Sequence, residues 1–530
     1  MATVTSTITP LSPIDRGSDW LNPILVKETR QSLKSRQFVA TFLLMLVASW
    51  LISVFGILLS GTGTEYRTLG GQFFFFYYIV LAVAVFIVVP FGAFRSLLSE
   101  RDLHTWEVLS ITTLKPRQIV WGKLLSSLVQ IFIYYSAITP FMAFAVLLKG
   151  VDVPTVAFIL VASLLWSMAL SMIGLTVSTF GSQRYWQVFL TLAMLGGLLL
   201  SLFFSLSLVG QGMFFFEFDA PEFWWGTAFV VSLIVAYLVL LLQVAIGQLT
   251  FDADNRTTSV RLAAASVFWL GVLWIYAGTS LHGLWGIPSP PSTDIADILV
   301  VFLVLAAIHW SIVGVFTVTE LDVLSRRVRR NVGRLGPFRV FLAPLIPGGA
   351  RGYLYVLIHL AALFAFVAGL LWLNPGSPDS ERTLYFAAGL VGYLVIYLGL
   401  GSAVGGLARR LSGDFRPAHA RVMTVLMLAL GAILPYFLFL FDRFRSGQEQ
   451  SPQFWITDPF STLFYRLLQG HADSNLLLLL IGIGATITLA INLKGILSGL
   501  VDVARSTTPA SFPASRQAPA SGESAPAPAG

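Results

Sequence analysis

Twelve stretches of this sequence stay apolar for at least about 18 residues, the length at which a helix crosses the hydrocarbon of a bilayer. They fall at roughly 39–61, 72–94, 124–148, 153–180, 185–210, 225–249, 262–286, 294–318, 352–373, 384–407, 422–441 and 475–499. A chain so patterned takes its element lengths from bilayer thickness. Composition agrees, because only 11% of the residues are charged against about 25% in soluble domains. The fold class is therefore all-α, a polytopic membrane protein with about twelve transmembrane helices. The absence of cysteine excludes disulfides, thiolate metal sites and cysteine nucleophiles. The first twenty or so residues are polar and lack the short apolar core of a cleavable leader.

Charge sorts the loops between these spans. With the N-terminus placed in the cytoplasm, 27 of the 33 Lys and Arg fall on the inner side, as the positive-inside rule requires. The net charge of +7 thus marks membrane orientation, not a nucleic-acid partner. A multi-pass protein of the plasma (inner) membrane with both termini cytoplasmic is expected.

All 26 acidic residues lie in loops or at span ends; Asp294, Asp297, Glu320 and Asp322, bordering the eighth span, come closest to the interior. Ion-coupled carriers commonly need a carboxylate in the membrane, and none is placed for that work. His309 and His359 are the only ionisable side chains well inside spans, and a neutral histidine bonded to a neighbouring helix accounts for each. No Gly-Lys has the upstream glycine of a phosphate-binding loop. If ATP drives this protein, another subunit hydrolyses it. The spans show no charged lining, which suits lipids, apolar drugs or a scaffold equally.

Two inner-side segments carry helical logic. In "NPILVKETRQSLKSRQF" (22–38) Asn22 and Pro23 suit a helix start. Leu25, Val26 and Leu33 share one side, and Lys27, Arg30 and Lys34 the adjacent one, as in a helix lying along the inner interface. The second segment, 95–123, holds eight charged residues between two apolar runs. Ser99 followed by Asp102 predicts a helix start and Pro116 a break. Glu100, His104 and Glu107 align on one face at i, i+4 and i+7, beside Leu103 and Trp106. That stripe could ligate a metal, stand as a solvated face, or dock a partner protein through Trp106 and Leu103. Orientation needs only Lys and Arg, so mixed sign favours a contact surface.

These residues carry a resemblance. "NPILVKETRQSLKSRQF" is similar to the N-terminal elbow of export-type (type two) ABC permease subunits. "SERDLHTWEVLSITTLKPRQIVWGKLL" resembles the loop between their second and third spans, with the pattern Glu-Arg-Glu, Gly-Thr-x-Glu-x-Leu, Thr-Pro-Leu and Ile-x-x-Gly-Lys. The matches are Glu100, Arg101, Thr105, Glu107, Leu109, Thr113, Leu114, Ile119, Gly122 and Lys123; Asp102 and His104 depart from it. The resemblance covers 22–249. It implies a six-span permease core with a coupling helix in 95–123, docked on a separate ATPase subunit through Glu100, Arg101, Thr105, Trp106 and Glu107. ATP with Mg would sit on that partner, and no cofactor or metal on this chain. Short re-entrant helices over "GMFFFEFDAPEFWWG" (212–226) would close the outer mouth.

The second membrane region, 250–501, has no such motif, but its loop lengths echo the first. Segment 319–351 corresponds in order to 95–123, and 442–474 to 211–224; "TELDVLS" (319–325) resembles "TWEVLS" (105–110). A degenerate duplication would make one chain a pseudo-dimer; the alternative is a six-span core with accessory spans, assembled as a homodimer. The seven arginines of 319–351 are expected to signal orientation. Gly399, Gly401, Gly405 and Gly406 are expected at helix contacts. Residues 1–21 form a polar lead segment, and 502–530, rich in Pro, Ala and Ser, is expected to be disordered. Outside the ABC reading stand an ATP-independent secondary transporter and a membrane scaffold of an assembly or secretion complex.

Overall fold

In a computed structural model of the chain, residues 22–59, 69–102, 114–181, 184–212, 216–251, 253–280, 292–374, 379–412, 415–446, 456–469 and 474–506 are described. Among them there is no strand. Twelve helices are long and apolar enough to cross a membrane, one for each apolar stretch of the sequence. The helices are α1 (Pro23–Leu33), α2 (Arg36–Leu59), α3 (Leu69–Val83), α4 (Val89–Asp102), α5 (Pro116–Leu147), α6 (Val153–Ser178), α7 (Arg184–Gly212) and α8 (Pro221–Leu249). They continue as α9 (Thr258–Ser280), α10 (Ser292–Val318), α11 (Arg326–Gly333), α12 (Gly349–Leu373), α13 (Ser380–Leu411), α14 (Pro417–Ser446) and α15 (Ser474–Ala504). A π turn over Ala84–Val88 joins α3 to α4 within the second span; α1 and α11 are too short to cross.

Packing divides the chain into two compact units, Met1–Phe251 with Ser259–Pro291, and Asp252–Thr258 with Ser292–Gly530. The sequence boundary near residue 250 would split the spans six and six; the units hold seven and five. Trp274 of α9 is the reason. Its ring meets Trp225 edge-on at 4.7 Å, and its indole N–H donates to Ser232 Oγ at 2.8 Å, holding α9 to α8.

The first unit is built around the second span, where Phe74, Tyr77, Leu81, Val85, Phe86 and Phe94 are fully buried. Lipid tails are as apolar as these side chains, so interhelical hydrogen bonds must add specificity. Here they pair aromatic groups with serines: Tyr77 with Ser53 at 2.7 Å, Tyr78 with Ser205 at 2.7 Å, Tyr135 with Ser163 at 2.6 Å and Trp166 with Ser201 at 2.8 Å. The π turn leaves backbone carbonyls short of donors, and Ser167 Oγ of α6 donates to Val85 O at 2.6 Å. At the other end of α8, residues 216–220 form a turn that leads directly into the helix. No re-entrant helix is present in the described part of 212–226. Phe216, Phe218 and Phe223 instead cluster on Phe158.

The second unit is built on α13, which uses small residues. A β-carbon on Gly399 would lie 2.4 Å from Thr488 Cγ2 and 2.5 Å from the Tyr353 hydroxyl, and one on Gly401 2.4 Å from Thr424 Oγ1. Close approach lets Asn492 Nδ2 of α15 donate to Gly399 O at 2.9 Å and Tyr353 OH of α12 to Val395 O at 2.9 Å. Gly405 is close to Ala420, whereas Gly406 faces open space, so packing explains three of the four glycines. His359 Nδ1 donates to Tyr355 O at 2.8 Å on its own helix, and its ring lies tilted against Trp310 of α10. A short helix does occur between the last two spans: Pro459–Ser461, capped by Asp458, continues as a π turn over Thr462–Leu467. The C-terminal helix runs on to Ala504, so the expected disordered tail does not begin at 502; residues 507–530 lie outside the described set.

Gly399→Ala should destabilise the detergent-solubilised protein by about 1–3 kcal/mol through overpacking. Gly406→Ala should leave it unchanged or up to about 1 kcal/mol more stable, since alanine is the better helix former. Thermal unfolding followed by tryptophan fluorescence measures both.

Candidate functional site

Helix α1 starts where the sequence places it. Asn22 Oδ1 accepts from Ile24 N at 3.0 Å and Pro23 occupies the first turn. Lys27, Arg30 and Lys34 are exposed, but the buried face is Ile24 and Glu28, while Leu25, Val26 and Leu33 are only half-buried. Glu28 is buried because it meets a lysine on another helix.

Lys123 belongs to α5, not to a loop, and its side chain is 2% exposed. An ammonium has three donors and no acceptor. Lys123 Nζ directs them to Glu28 Oε1 at 2.9 Å, Glu100 Oε1 at 3.1 Å and, more weakly, Ser96 Oγ at 3.4 Å. Glu28 comes from α1, and Ser96 and Glu100 from the end of the second span. Lys27 adds a long pair to Glu100 at 3.8 Å, with its own side chain 57% exposed. Gly122 makes the approach possible, since a β-carbon there would stand 2.7 Å from Ile24 Cβ. Asn22 Nδ2 also donates to Gln118 O, so α1 is sewn to the start of α5 by one amide and one ion pair.

This geometry reassigns Glu100. The sequence sets it on an exposed acidic stripe, yet its side chain is 15% exposed and its carboxylate faces Lys123. The predicted helix start at Ser99 is also absent. Ser99 Oγ donates back to Ser96 O at 3.1 Å, and α4 continues unbroken to Asp102. The break before Pro116 is present, with Lys115 extended and its N–H donating to Gln118 Oε1 at 2.9 Å. Arg101 lies in the last turn of α4. Thr105, Trp106 and Glu107, with Leu103 and His104, lie outside the described residues. Sequence reasoning misses Glu28, and it names Lys123 only as part of the Gly-Lys match, without its partners. The available signal is a lone carboxylate in a basic helix and a lone lysine flanked by apolar residues, which need each other.

The second unit has its own polar join, between the eighth and ninth spans of the chain. Glu320 Oε2 accepts from Gly348 N at 3.0 Å and Asp322 Oδ1 from Ala350 N at 2.9 Å. These carboxylates cap the start of α12, where backbone N–H groups lack intrahelical partners. Buried Arg351 donates to Gly499 O at 3.1 Å and to Pro347 O, and Arg409 to Thr319 O at 3.2 Å. Elsewhere in this unit a cavity of about 770 Å³ lies among α13, α14 and α15, lined by Tyr393, Tyr397, Met427, Leu434, Phe437 and Ile481. Both tyrosine hydroxyls are spent on Ile456 O and Thr457 O. The cavity therefore suits an apolar guest and offers little to a charged one.

No protein-family model, curated protein or solved structure matches the chain.

Lys123→Met should cost about 3–5 kcal/mol, because it strands two carboxylates in a nearly dry site. The triple variant Glu28→Gln, Glu100→Gln, Lys123→Met should recover most of that loss. Lys27→Ala should cost less than about 1 kcal/mol. Unfolding in detergent, with limited proteolysis of the elbow as a second readout, tests the ranking.

Proposed function

We propose that this protein is the transmembrane permease subunit of an ABC-type exporter of the plasma (inner) membrane, with both termini cytoplasmic. ATP and Mg are held and hydrolysed by a separate ATPase subunit, which docks on the segment between α4 and α5 through Arg101, Thr105, Trp106 and Glu107. Rearrangement of the spans then moves the substrate.

The observation that carries this reading is the Lys123 anchor. Glu100 lies two residues before the end of α4, and Lys123 about two helical turns into α5. Their ion pair closes the segment at its base, and Glu28 ties the same base to the elbow helix. A force applied to 103–113 is therefore delivered to the second span, the third span and the elbow together. The π turn over Ala84–Val88 supplies a place within the second span where helix geometry is already altered. Glu100 serves this mechanism by holding the base of the segment; contact with the ATPase falls to the residues beyond it.

Co-purification with a soluble ATPase carrying a phosphate-binding loop is the test. Glu107→Arg should abolish it and Arg184→Ala should not. Equal retention by both variants overturns the docking assignment. With the complex reconstituted, Lys123→Met should retain the ATPase but lose transport-dependent stimulation of hydrolysis.

A further inference from the structure

The arginine-rich segment after the eighth span does more than mark orientation. Helix α11 begins at Ser325, whose Oγ accepts from Val328 N at 3.2 Å. Val328 and Val332 are buried and join Leu324, Ala343, Ile346 and Val503 in a small core. Val503 lies in the last turn of α15, so α11 rests on the end of a membrane-crossing helix.

The opposite face is cationic. Arg326, Arg327, Arg329, Arg330 and Arg334 are all exposed. Arg327 pairs with Asp254 at 3.0 Å, whereas Arg326, Arg329, Arg330 and Arg334 form no ion pair among the described residues. Three of them, Arg326, Arg330 and Arg334, succeed one another at i, i+4 spacing, where like charges repel. Each such pair carries a small energetic cost, which a bound anion relieves.

The chain just beyond α11 fixes the kind of anion. Phe338 is 71% exposed and Phe341 89%, with Val340 and Leu342 beside them. Arginines next to outward phenylalanines, at the level where spans α10 and α15 end, are the pattern of an interfacial segment. The rings enter the boundary of the acyl region and the cations meet the phosphates.

We propose that residues 326–341 form a binding site for anionic phospholipid, with Arg326, Arg329, Arg330 and Arg334 on the headgroup phosphates and Phe338 and Phe341 among the chains. A soluble acidic protein would match the charge but would leave the phenylalanines beside the bilayer without purpose. The site is independent of the permease reading.

The test uses the full chain in detergent with equal amounts of dioleoyl phosphatidylglycerol and dioleoyl phosphatidylcholine, bound lipid being counted by native mass spectrometry. Wild type should retain phosphatidylglycerol in preference. The combined variant Arg326→Gln, Arg329→Gln, Arg330→Gln, Arg334→Gln should lose that lipid roughly tenfold without change in phosphatidylcholine. The same four positions changed to lysine should keep most of it, which separates lost charge from lost folding. Phe338→Ser with Phe341→Ser should lower retention of both lipids. Anionic lipid held equally by the glutamine variant and wild type overturns the proposal, as does an equal loss of both lipids in that variant. Loss of a co-purifying protein with unchanged phosphatidylglycerol overturns it in favour of a protein surface.

Discussion

An ammonium group removed from water must have its hydrogens taken, and Lys123 dictates how that is done. Its acceptors come from two elements far apart in sequence, Glu28 in α1 and the Ser96–Glu100 turn of α4. Neither element can move away without leaving charge behind in a nearly dry place. A buried ion pair adds little net stability over an apolar substitute, so its contribution is positional. The elbow, the second span and the third span are held in one arrangement, with Gly122 removing the atoms that would keep them apart. The end of α4 and the start of α5 are fixed to each other by this arrangement.

The spans are legible in the sequence because apolar length is a one-dimensional signal. Partnership is not. The positive-inside rule counts the sign of Lys123 and ignores where its hydrogens go, so the residue passes as loop charge. Helical-wheel reasoning sorts the apolar and basic residues of α1 and passes over Glu28, because a carboxylate becomes an inward residue only when a distant lysine is known to face it. Ser99 reads as a helix cap because serine caps helices when its hydroxyl points forward; here it bonds back within a continuous helix. The serines that meet Tyr77, Tyr78, Tyr135 and Trp166 carry no local pattern, since a lone serine in an apolar run looks the same whether or not an aromatic partner waits on the next helix. The indole of Trp274, which ties α9 to α8, is unreadable in the sequence for the same reason.

The two units solve the association of helices in lipid differently. The first rivets neighbours with serine–aromatic hydrogen bonds, which tolerate bulky helices. The second removes side chains from α13, so that backbone carbonyls at Val395 and Gly399 come within reach of Tyr353 and Asn492. Both place carboxylates where one span ends and the next begins. In the first unit the positive partner is Lys123. In the second it is the bare N-terminus of α12, which meets Glu320 and Asp322. The short helix between the last two spans stands where the loop order of the first half expects one between the fifth and sixth. If the halves share an ancestor, the polar joins outlasted the residues that make them.

Polar chemistry at span ends has a mechanical consequence. Within the bilayer the helices meet through single hydrogen bonds worth about 0.6–2 kcal/mol each, so each contact alone yields readily. At the joins several bonds share one charge, and none yields without exposing the others. Movement imposed at a join therefore passes into whole helices before it separates them. Any bending must occur where the backbone ladder is already irregular, as at Ala84–Val88, whose carbonyl at Val85 is held by Ser167 rather than by the ladder alone. The second span is a regular α-helix from the join to that turn, and the turn is where its two halves meet with altered geometry.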